Sequence, residues 1–126
     1  MAKILVVDDS PTEVHILRTI LQKAGHGVIT ATNGMEAIEM AKSEKPDLIL
    51  MDVIMPGING FQVTRQLTHN ADTKNVPVIV VTNKSQQTDR VWGLRQGAAD
   101  YLVKPVTPEA LLESVNNVLT GGSRGR

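Results

Sequence analysis

Residues 47–60 read Asp-Leu-Ile-Leu-Met-Asp-Val-Ile-Met-Pro-Gly-Ile-Asn-Gly, a short apolar run that stops at Asp52 and is followed at once by a glycine-containing loop. Three more apolar runs also stop at a polar residue: residues 3–7 before Asp8 and Asp9, residues 78–81 before Thr82, and residues 101–103 before Lys104. In an open parallel sheet the carboxyl ends of the strands line the crevice where ligands bind. The pattern therefore predicts one site assembled from four distant pieces of the chain.

Between these runs the apolar residues recur with helical spacing, and such alternation is typical of βαβ units and a parallel sheet. Helical faces are predicted for Val14, Leu17 and Leu21, for Met35, Ile38 and Ala41, and for Leu111, Leu112, Val115, Val118 and Leu119. Strands are predicted at residues 3–7, 27–31, 47–51, 77–82 and 99–103. The first, third and fourth strands are apolar almost throughout, which indicates the centre of a sheet covered by helices on both faces.

Composition narrows the function classes. The 126 residues carry 13 basic and 13 acidic side chains, so the formal net charge is zero and no basic excess indicates direct binding of nucleic acid or of an anionic membrane. The absence of cysteine excludes disulfides and zinc-thiolate sites. The apolar runs are too short for a signal peptide or a membrane span. We expect a soluble, cytoplasmic protein that does not insert into a membrane.

The acidic cluster favours a metal. Asp8 and Asp9 end the first predicted strand and Asp52 ends the neighbouring one, so three carboxylates should converge despite their mutual repulsion. Carboxylate oxygens suit Mg²⁺, which also accepts phosphate oxygens and keeps several waters. The alternative is that Asp8 and Asp9 only favour the start of the following helix through its dipole.

Asp52 is a candidate nucleophile. A carboxylate that attacks a phosphoryl group forms an aspartyl phosphate, and the reaction needs cations and donors for the phosphoryl oxygens. Lys104 would supply a cation and Thr82 a hydroxyl. Each of these residues has an alternative role when it is taken singly. Asp52 could simply favour the turn that follows it, Lys104 could be a solvated surface charge, and Thr82 could be an ordinary β-branched strand residue.

Together these residues resemble the receiver domain of two-component response regulators. The motif residues are Asp8-Asp9, Asp52 with Met55-Pro56 and Gly60, Thr82, Gly97-Ala98, Tyr101 and Lys104-Pro105, and the resemblance extends from residue 3 to about residue 120. It implies a single flavodoxin-like (βα)5 domain of the α/β class with strand order 2-1-3-4-5. We expect this domain to span residues 1–120 and to be followed by a disordered tail at residues 121–126.

The resemblance also implies roles for the site residues. Asp52 would take a phosphoryl group from a sensor-kinase phosphohistidine, and Mg²⁺ would be held by Asp9, Asp52 and the backbone carbonyl of Ile54, with Asp8 acting mainly through a metal-bound water. Lys104 would pair with the phosphoryl oxygens, and the Lys104-Pro105 peptide bond would be cis. Catalysis would be limited to the domain's own phosphorylation and dephosphorylation, without turnover of a separate substrate.

Thr82 and Tyr101 match the family's switch. On phosphorylation the Thr hydroxyl moves toward the phosphoryl group and the aromatic ring moves inward, which alters the face made by the fourth helix, the fifth strand and the fifth helix. The alternative for Tyr101 is a half-buried strand residue with a solvated hydroxyl. Trp92 is interpreted as a core or helix-packing residue, with a partner anchor as its alternative.

Three positions are predicted to tune rates. Asn83 stands where receivers mostly carry Ala, Ser or Gly, so crowding could slow phosphotransfer or alter the lifetime of the phosphoryl group. Ile54 and Lys84 occupy the variable positions that control access of water. An apolar Ile beside a Lys should shield the acyl phosphate, which predicts slow self-dephosphorylation.

More narrowly, the chain resembles stand-alone receivers of chemotaxis type and, within them, the pilus response regulators of twitching-motility systems. This implies a chemotaxis-type sensor histidine kinase, or its phosphotransfer domain, and a downstream motility or pilus protein as partners, with the chain a monomer or weak dimer. Alternatives are a phosphate sink that competes for the kinase, or a receiver excised from a longer regulator with a DNA-binding output. A phosphohydrolase is disfavoured because Ile54 cannot act as an acid, and a flavin module because Asp8 and Asp9 would repel the flavin phosphate.

Overall fold

The computed structural model describes residues 2–121, in which five strands and five helices alternate along the chain. The strands are β1 (Lys3–Val7), β2 (Gly27–Ala31), β3 (Leu48–Met51), β4 (Val78–Thr82) and β5 (Asp100–Val103). The helices are α1 (Pro11–Lys23), α2 (Gly34–Glu44), α3 (Gly60–His69), α4 (Gln87–Arg95) and α5 (Pro108–Leu119). Of the predicted tail, residues 122–126 lie outside the described residues, and Gly121 belongs to a turn.

All strand pairs are parallel, and the sheet order is β2-β1-β3-β4-β5, which confirms the predicted topology. The three strands predicted to be central are central, and every residue of β3 and β4 is buried. The predicted strands at 47–51, 77–82 and 99–103 each begin one residue later in the structure, a difference within the usual uncertainty of element ends.

Helices cover both faces of the sheet, as the apolar strands require. On one face, α1 and α5 contribute Leu17, Leu21, Leu111, Val115 and Val118 to a core with the strands. On the other face, α2 and α3 contribute smaller or fewer side chains, and a separate cluster forms around Val53, Phe61, Val80, Ala98 and Tyr101 beneath α4. No helix within residues 2–121 has the length and apolar character needed to cross a membrane.

The predicted apolar face of α2 is partly wrong. Met35 is 65% exposed, and the buried residues of the helix are Gly34, Ala37 and Ala41. A Cβ at Gly34 would lie only 2.5 Å from Ile58 Cγ2, so the beginning of α2 packs tightly against the loop before α3. Because the helix approaches so closely, its small residues face the core and the larger Met35 is turned outward.

Candidate functional site

The four strand-end residues meet at the carboxyl edge of the sheet. Asp8 follows β1, Asp52 follows β3, Thr82 ends β4 and Lys104 follows β5. Asp8, Asp52 and Thr82 are buried, and the Lys104 side chain is only 5% exposed. The alternative of Lys104 as a solvated surface charge is therefore wrong, and the four pieces of sequence form one site.

Lys104 connects the charged groups. Its Nζ lies 2.7 Å from Asp8 Oδ2, 3.8 Å from Asp52 Oδ2 and 3.9 Å from Glu13 Oε2. The Lys104-Pro105 peptide bond is cis, as the resemblance implied. Glu13 was not among the predicted site residues. The signal for it was its place in the first turn of the helix that follows Asp8 and Asp9, where an acid lies close to the end of β1.

Three carboxylates converge as predicted. Single ligand oxygens of Asp8, Asp9 and Asp52 all lie within 4.8 Å of one another, with Asp9 exposed and the other two buried. The backbone N–H of Ser10 donates to Asp8 Oδ1 at 2.9 Å, and that of Val53 donates to Asp52 Oδ1 at 2.8 Å. An all-oxygen donor set of this kind fits a hard divalent cation such as Mg²⁺.

The electrostatics of Asp52 reflect its confined position. Burial raises the pKa of this carboxyl above its usual range, and the nearby Asp8 carboxylate raises it further. The Lys104 ammonium and the hydrogen bonds from Val53 and Thr82 oppose the shift. Asp52 is thus a carboxylate that water solvates poorly and that depends on the protein's own donors.

Gly60 lets the chain close tightly behind Asp52. Its N–H donates to the Val53 carbonyl at 3.0 Å, and a Cβ at this position would collide with the backbone carbonyl of Asp52. Only glycine allows this approach, so Gly60 fixes the loop that leaves Asp52 at the mouth of the crevice. The side chain of Ile54 in the same loop is 58% exposed.

Thr82 begins the segment that leads into α4. Its Oγ1 accepts from the backbone N–H of Lys84 at 3.4 Å. The side chain of Lys84 pairs with Asp89, with 3.5 Å between Nζ and Oδ1, and Asn83 is exposed. Ile54 and Lys84 line the same hollow beside the site, of about 470 Å³.

Tyr101 lies inside the protein and is 2% exposed, so the alternative of a half-buried ring with a solvated hydroxyl is wrong. The hydroxyl donates to the Lys84 backbone carbonyl at 2.8 Å, and the ring stacks on Phe61 with 6.5 Å between centroids. Gly93 makes room for the ring, because a Cβ there would lie 2.9 Å from Tyr101 Cδ2. Burial, reinforced by the Asp89 carboxylate, raises the pKa of Tyr101 to about 12.

A polar network around β5 was not predicted. Arg90 Nη1 donates to the Tyr101 carbonyl at 3.0 Å, and Arg90 Nη2 lies 3.9 Å from Asp100 Oδ1. Ser114 Oγ donates to the buried Asp100 Oδ2 at 2.6 Å. The available signal was Asp100 itself, an acid at the start of an otherwise apolar strand. The network connects α4 and α5 to the strand that carries Tyr101.

Trp92 is 52% exposed on α4, so the core part of its interpretation as a core or helix-packing residue is wrong. Helix packing is not contradicted, because Trp92 shares a hollow with residues of α3. Gly93 takes the inward position next to Trp92, where only the smallest residue fits against Tyr101 and Phe61. The apolar pattern of α4 is therefore weak, and a lone aromatic in it gave no reliable indication of which side faces the core.

Comparison with known proteins agrees with this geometry. A family model described as the response regulator receiver domain matches residues 4–116. Protein PilH of Pseudomonas aeruginosa is 59% identical over 121 residues, which cover 96% of this chain and 100% of that protein. The alkaline phosphatase synthesis transcriptional regulatory protein PhoP of Bacillus subtilis is 41% identical, and the match covers 93% of this chain but 48% of PhoP.

Solved structures share the fold. The chemotaxis protein CheY4 of Vibrio cholerae superposes with a TM-score of 0.87 at 36% identity, covering 94% of this chain and 98% of that one. The beryllofluoride-activated receiver domain of Klebsiella pneumoniae RstA superposes with a TM-score of 0.86 at 30% identity, covering 93% and 97%. On the fold, the convergent site and these matches, the chain belongs to the response regulator receiver domain family.

Proposed function

We propose that the chain is a single-domain response regulator, residues 1–120, that accepts a phosphoryl group on Asp52. The observation that carries the proposal is the placement of Asp52. Its buried carboxylate lies 3.8 Å from the Lys104 ammonium and shares a cluster with Asp8 and Asp9. A nucleophile, a cation for the phosphoryl oxygens and a metal-binding donor set thus stand together, as phosphoryl transfer requires.

In the proposed reaction one Asp52 carboxylate oxygen attacks the phosphorus of a phosphohistidine on the donor kinase. The O–P bond forms as the P–N bond breaks, and the histidine nitrogen keeps the bonding electrons. Lys104 is positioned to balance the negative charge that arrives with the phosphoryl group. The Val53 N–H holds the carboxylate in place through Asp52 Oδ1.

The same cluster supports Mg²⁺ as the resident cofactor. We assign Asp9, Asp52 and the Ile54 backbone carbonyl as its direct ligands and Asp8 as a contact through water. Both Asp8 oxygens already accept hydrogen bonds, one from Ser10 and one from Lys104, which favours an indirect role. When bound, Mg²⁺ neutralises charge on the phosphoryl oxygens.

We assign Thr82 and Tyr101 as the residues that pass the phosphorylation state to α4, β5 and α5. The Tyr101 hydroxyl contacts the Lys84 carbonyl, two residues beyond Thr82 and just ahead of α4. A phosphoryl group that draws the Thr82 hydroxyl toward itself would act on this segment directly. The result is a shift in population between two packings of the same face.

Ile54 and Lys84 should slow hydrolysis of the acyl phosphate, because both flank the mouth of the site and Ile54 offers water no hydrogen bond. Ile54→Asn is therefore expected to shorten the half-life of the phosphorylated protein. Ile16→Asn on α1 is the matched control, since Ile16 is also exposed, at 43%. An unchanged half-life in Ile54→Asn would remove the shielding role. Asn83, the exposed residue directly after Thr82, is assigned to rate tuning as well.

The proposed partners are a chemotaxis-type histidine kinase, or its phosphotransfer domain, and a motility or pilus protein. The support is the similarity to PilH over the whole length of that protein. This role places the chain in the cytoplasm as a monomer or weak dimer. A phosphate sink is the second candidate: a sink drains phosphoryl groups from the kinase, whereas a signalling regulator binds an effector only when phosphorylated. The third candidate is a receiver cut from a longer regulator, which the similarity to PhoP supports.

The site can be tested without a kinase by adding Mg²⁺ and beryllofluoride, a phosphoryl mimic, to isotopically labelled protein. The proposal predicts amide shifts that begin at residues 52–54 and extend to residues 82–89, and their loss in Asp52→Asn. Lys42→Gln at the exposed end of α2 serves as a control that should respond like the unmodified chain. Shifts of equal size in Asp52→Asn would contradict the assignment.

A further inference from the structure

Trp92, the only tryptophan of the chain, presents its indole at the surface between α3 and α4. Two shallow hollows meet at it. The first, of about 450 Å³, lies between the two helices, and the second, of about 280 Å³, runs along α4. The first is lined by Asn59, Phe61, Gln62, Arg65, Trp92 and Gln96. Binding hot spots are enriched in tryptophan and arginine and lie at pockets, as Trp92 does here.

The charge of this surface, here called the α3–α4 groove, is positive. Arg65 stands beside the first hollow and Arg95 beside the second. Among residues 2–121, the side chains that line these hollows include no carboxylate, and no ion pair within that range uses either arginine. The chain as a whole is neutral, so this local excess is a property of the groove.

The groove is also continuous with the functional site. Asn59 and Phe61 line both the hollow beside Trp92 and the hollow next to Ile54 and Lys84. Phe61 in turn stacks on Tyr101. A side chain bound next to Trp92 would therefore contact a residue that packs on the buried tyrosine.

We propose that the α3–α4 groove docks an acidic peptide segment of a protein partner, which inserts one apolar side chain beside Trp92. The first hollow has room for a large apolar side chain. Arg65 and Arg95 would pair with carboxylates on either side of it, since charge-complementary flanks direct association and select partners. Two arginines are too few for the multiple phosphate contacts that nucleic acid binding uses. Docking in the α3–α4 groove occurs in the unphosphorylated protein and does not depend on the chemistry of Asp52.

The test titrates the full chain with a synthetic Glu-rich peptide that carries one Phe and follows the fluorescence of the single tryptophan. The matched probes are the same peptide with Lys in place of each Glu, and with Ser in place of Phe. The proposal predicts a saturable fluorescence change and an affinity at least about ten-fold higher for the acidic Phe peptide than for either probe.

Calorimetry with variants then locates the binding. Trp92→Ala should lower the affinity for the acidic peptide by about ten-fold or more, as expected for a central aromatic anchor. Arg65→Gln with Arg95→Gln should also weaken it, and the loss should shrink as salt is added. Lys23→Gln is the control, because Lys23 is exposed on α1 at the opposite face of the sheet and should leave the affinity unchanged.

Four results would overturn the proposal. Equal affinity for the acidic and basic peptides would remove the charge argument, and full affinity in Trp92→Ala would remove the anchor. Tighter binding of a single-stranded oligonucleotide would assign the groove to nucleic acid, and self-association lost in Trp92→Ala would assign it to a second copy of the chain.

Discussion

Helices α5 and α4 flank the same strand, β5, but they are held in different ways. α5 buries Leu111, Ser114, Val115 and Val118, three of them in the core that α5 shares with α1 and the strands. Of the residues described in α4, Gly93 alone is buried. Helix α5 is attached by a wide apolar face, whereas α4 has almost none.

Polar contacts replace that apolar face in α4. The Tyr101 hydroxyl binds the Lys84 carbonyl ahead of the helix, and Arg90 binds the Tyr101 carbonyl from within it. Each such hydrogen bond contributes about 1 kcal/mol net, less than the burial of one leucine. α4 can therefore change its packing at a small cost while α5 stays fixed, and segments of low local stability are those that move in switching proteins. The comparison identifies α4 as the more weakly held of the two helices that flank β5.

The largest difference in stability should come from shortening one side chain in each of the two helices. Leu111→Ala removes a fully buried side chain of α5 and is expected to lower the free energy of unfolding by about 2–5 kcal/mol. Val91→Ala removes a side chain of α4 that is 41% exposed and should change it by less than about 0.5 kcal/mol. Urea denaturation measures both. Equal losses in the two variants would show that α4 is as firmly attached as α5.

Gly93→Ala tests how closely α4 approaches Tyr101. Alanine usually stabilises a helix interior by about 1 kcal/mol over glycine, but here its Cβ would lie 2.9 Å from Tyr101 Cδ2 and 3.1 Å from Phe61 Cε1. Overpacking costs about 1–3 kcal/mol, so a net loss of about 1 kcal/mol is expected. As the ring is displaced, the pKa of Tyr101 should fall toward its ordinary value.

The matched control for that change is Gly27→Ala in β2, where the nearest atom to a new Cβ is 3.9 Å away. This variant should leave the tyrosine titration unchanged. A Gly93→Ala protein that is more stable than the parent, with the same tyrosine titration, would contradict the close packing of α4 on the ring.

Tyr101→Phe removes one hydrogen bond and leaves the ring in place. The expected loss is about 0.5–1.5 kcal/mol, because the Lys84 carbonyl would lose its partner at 2.8 Å. Hydrogen exchange should accelerate in residues 84–89 and remain slow in α5. Faster exchange spread evenly over α4 and α5 would argue against a locally held helix.

The last prediction concerns pH, whose effect through Tyr101 is confined to strongly alkaline solution. Because the pKa of Tyr101 is raised from 10.0 to about 12, its buried neutral hydroxyl contributes its full stabilisation below pH 10 and loses it as pH rises through about 12. Since the chain has one tyrosine, ultraviolet absorbance follows this group alone. A titration midpoint at the ordinary value would place the ring in solvent and remove the contact with the β4–α4 segment.

The sequence predicted those parts of the molecule that repeat a simple rule. Four of the five strands contain an apolar run that stops at a polar residue, so the convergence of Asp8, Asp52, Thr82 and Lys104 followed from alternation and topology. Strand order and the cis bond before Pro105 came from the family resemblance, not from the pattern itself.

The remainder depends on close approach between distant segments, which has no periodic signal. Met35 looked like a core residue because the pattern does not show how closely Gly34 lets α2 pack on its neighbour. Trp92 looked buried for a related reason, since Gly93 takes the inward place beneath it. The partner of the Tyr101 hydroxyl is a backbone carbonyl, and no residue type at position 84 could have indicated it.

The central claim is that Asp52 and its neighbours form a Mg²⁺-dependent phosphoacceptor. The most direct test is the intact mass of the chain after incubation with Mg²⁺ and acetyl phosphate, beside Asp52→Asn and a sample in which Mg²⁺ is removed by a chelator. The account predicts a single phosphoryl adduct that is absent from both comparison samples. No adduct in the unmodified chain, or an adduct that persists in Asp52→Asn, would contradict it.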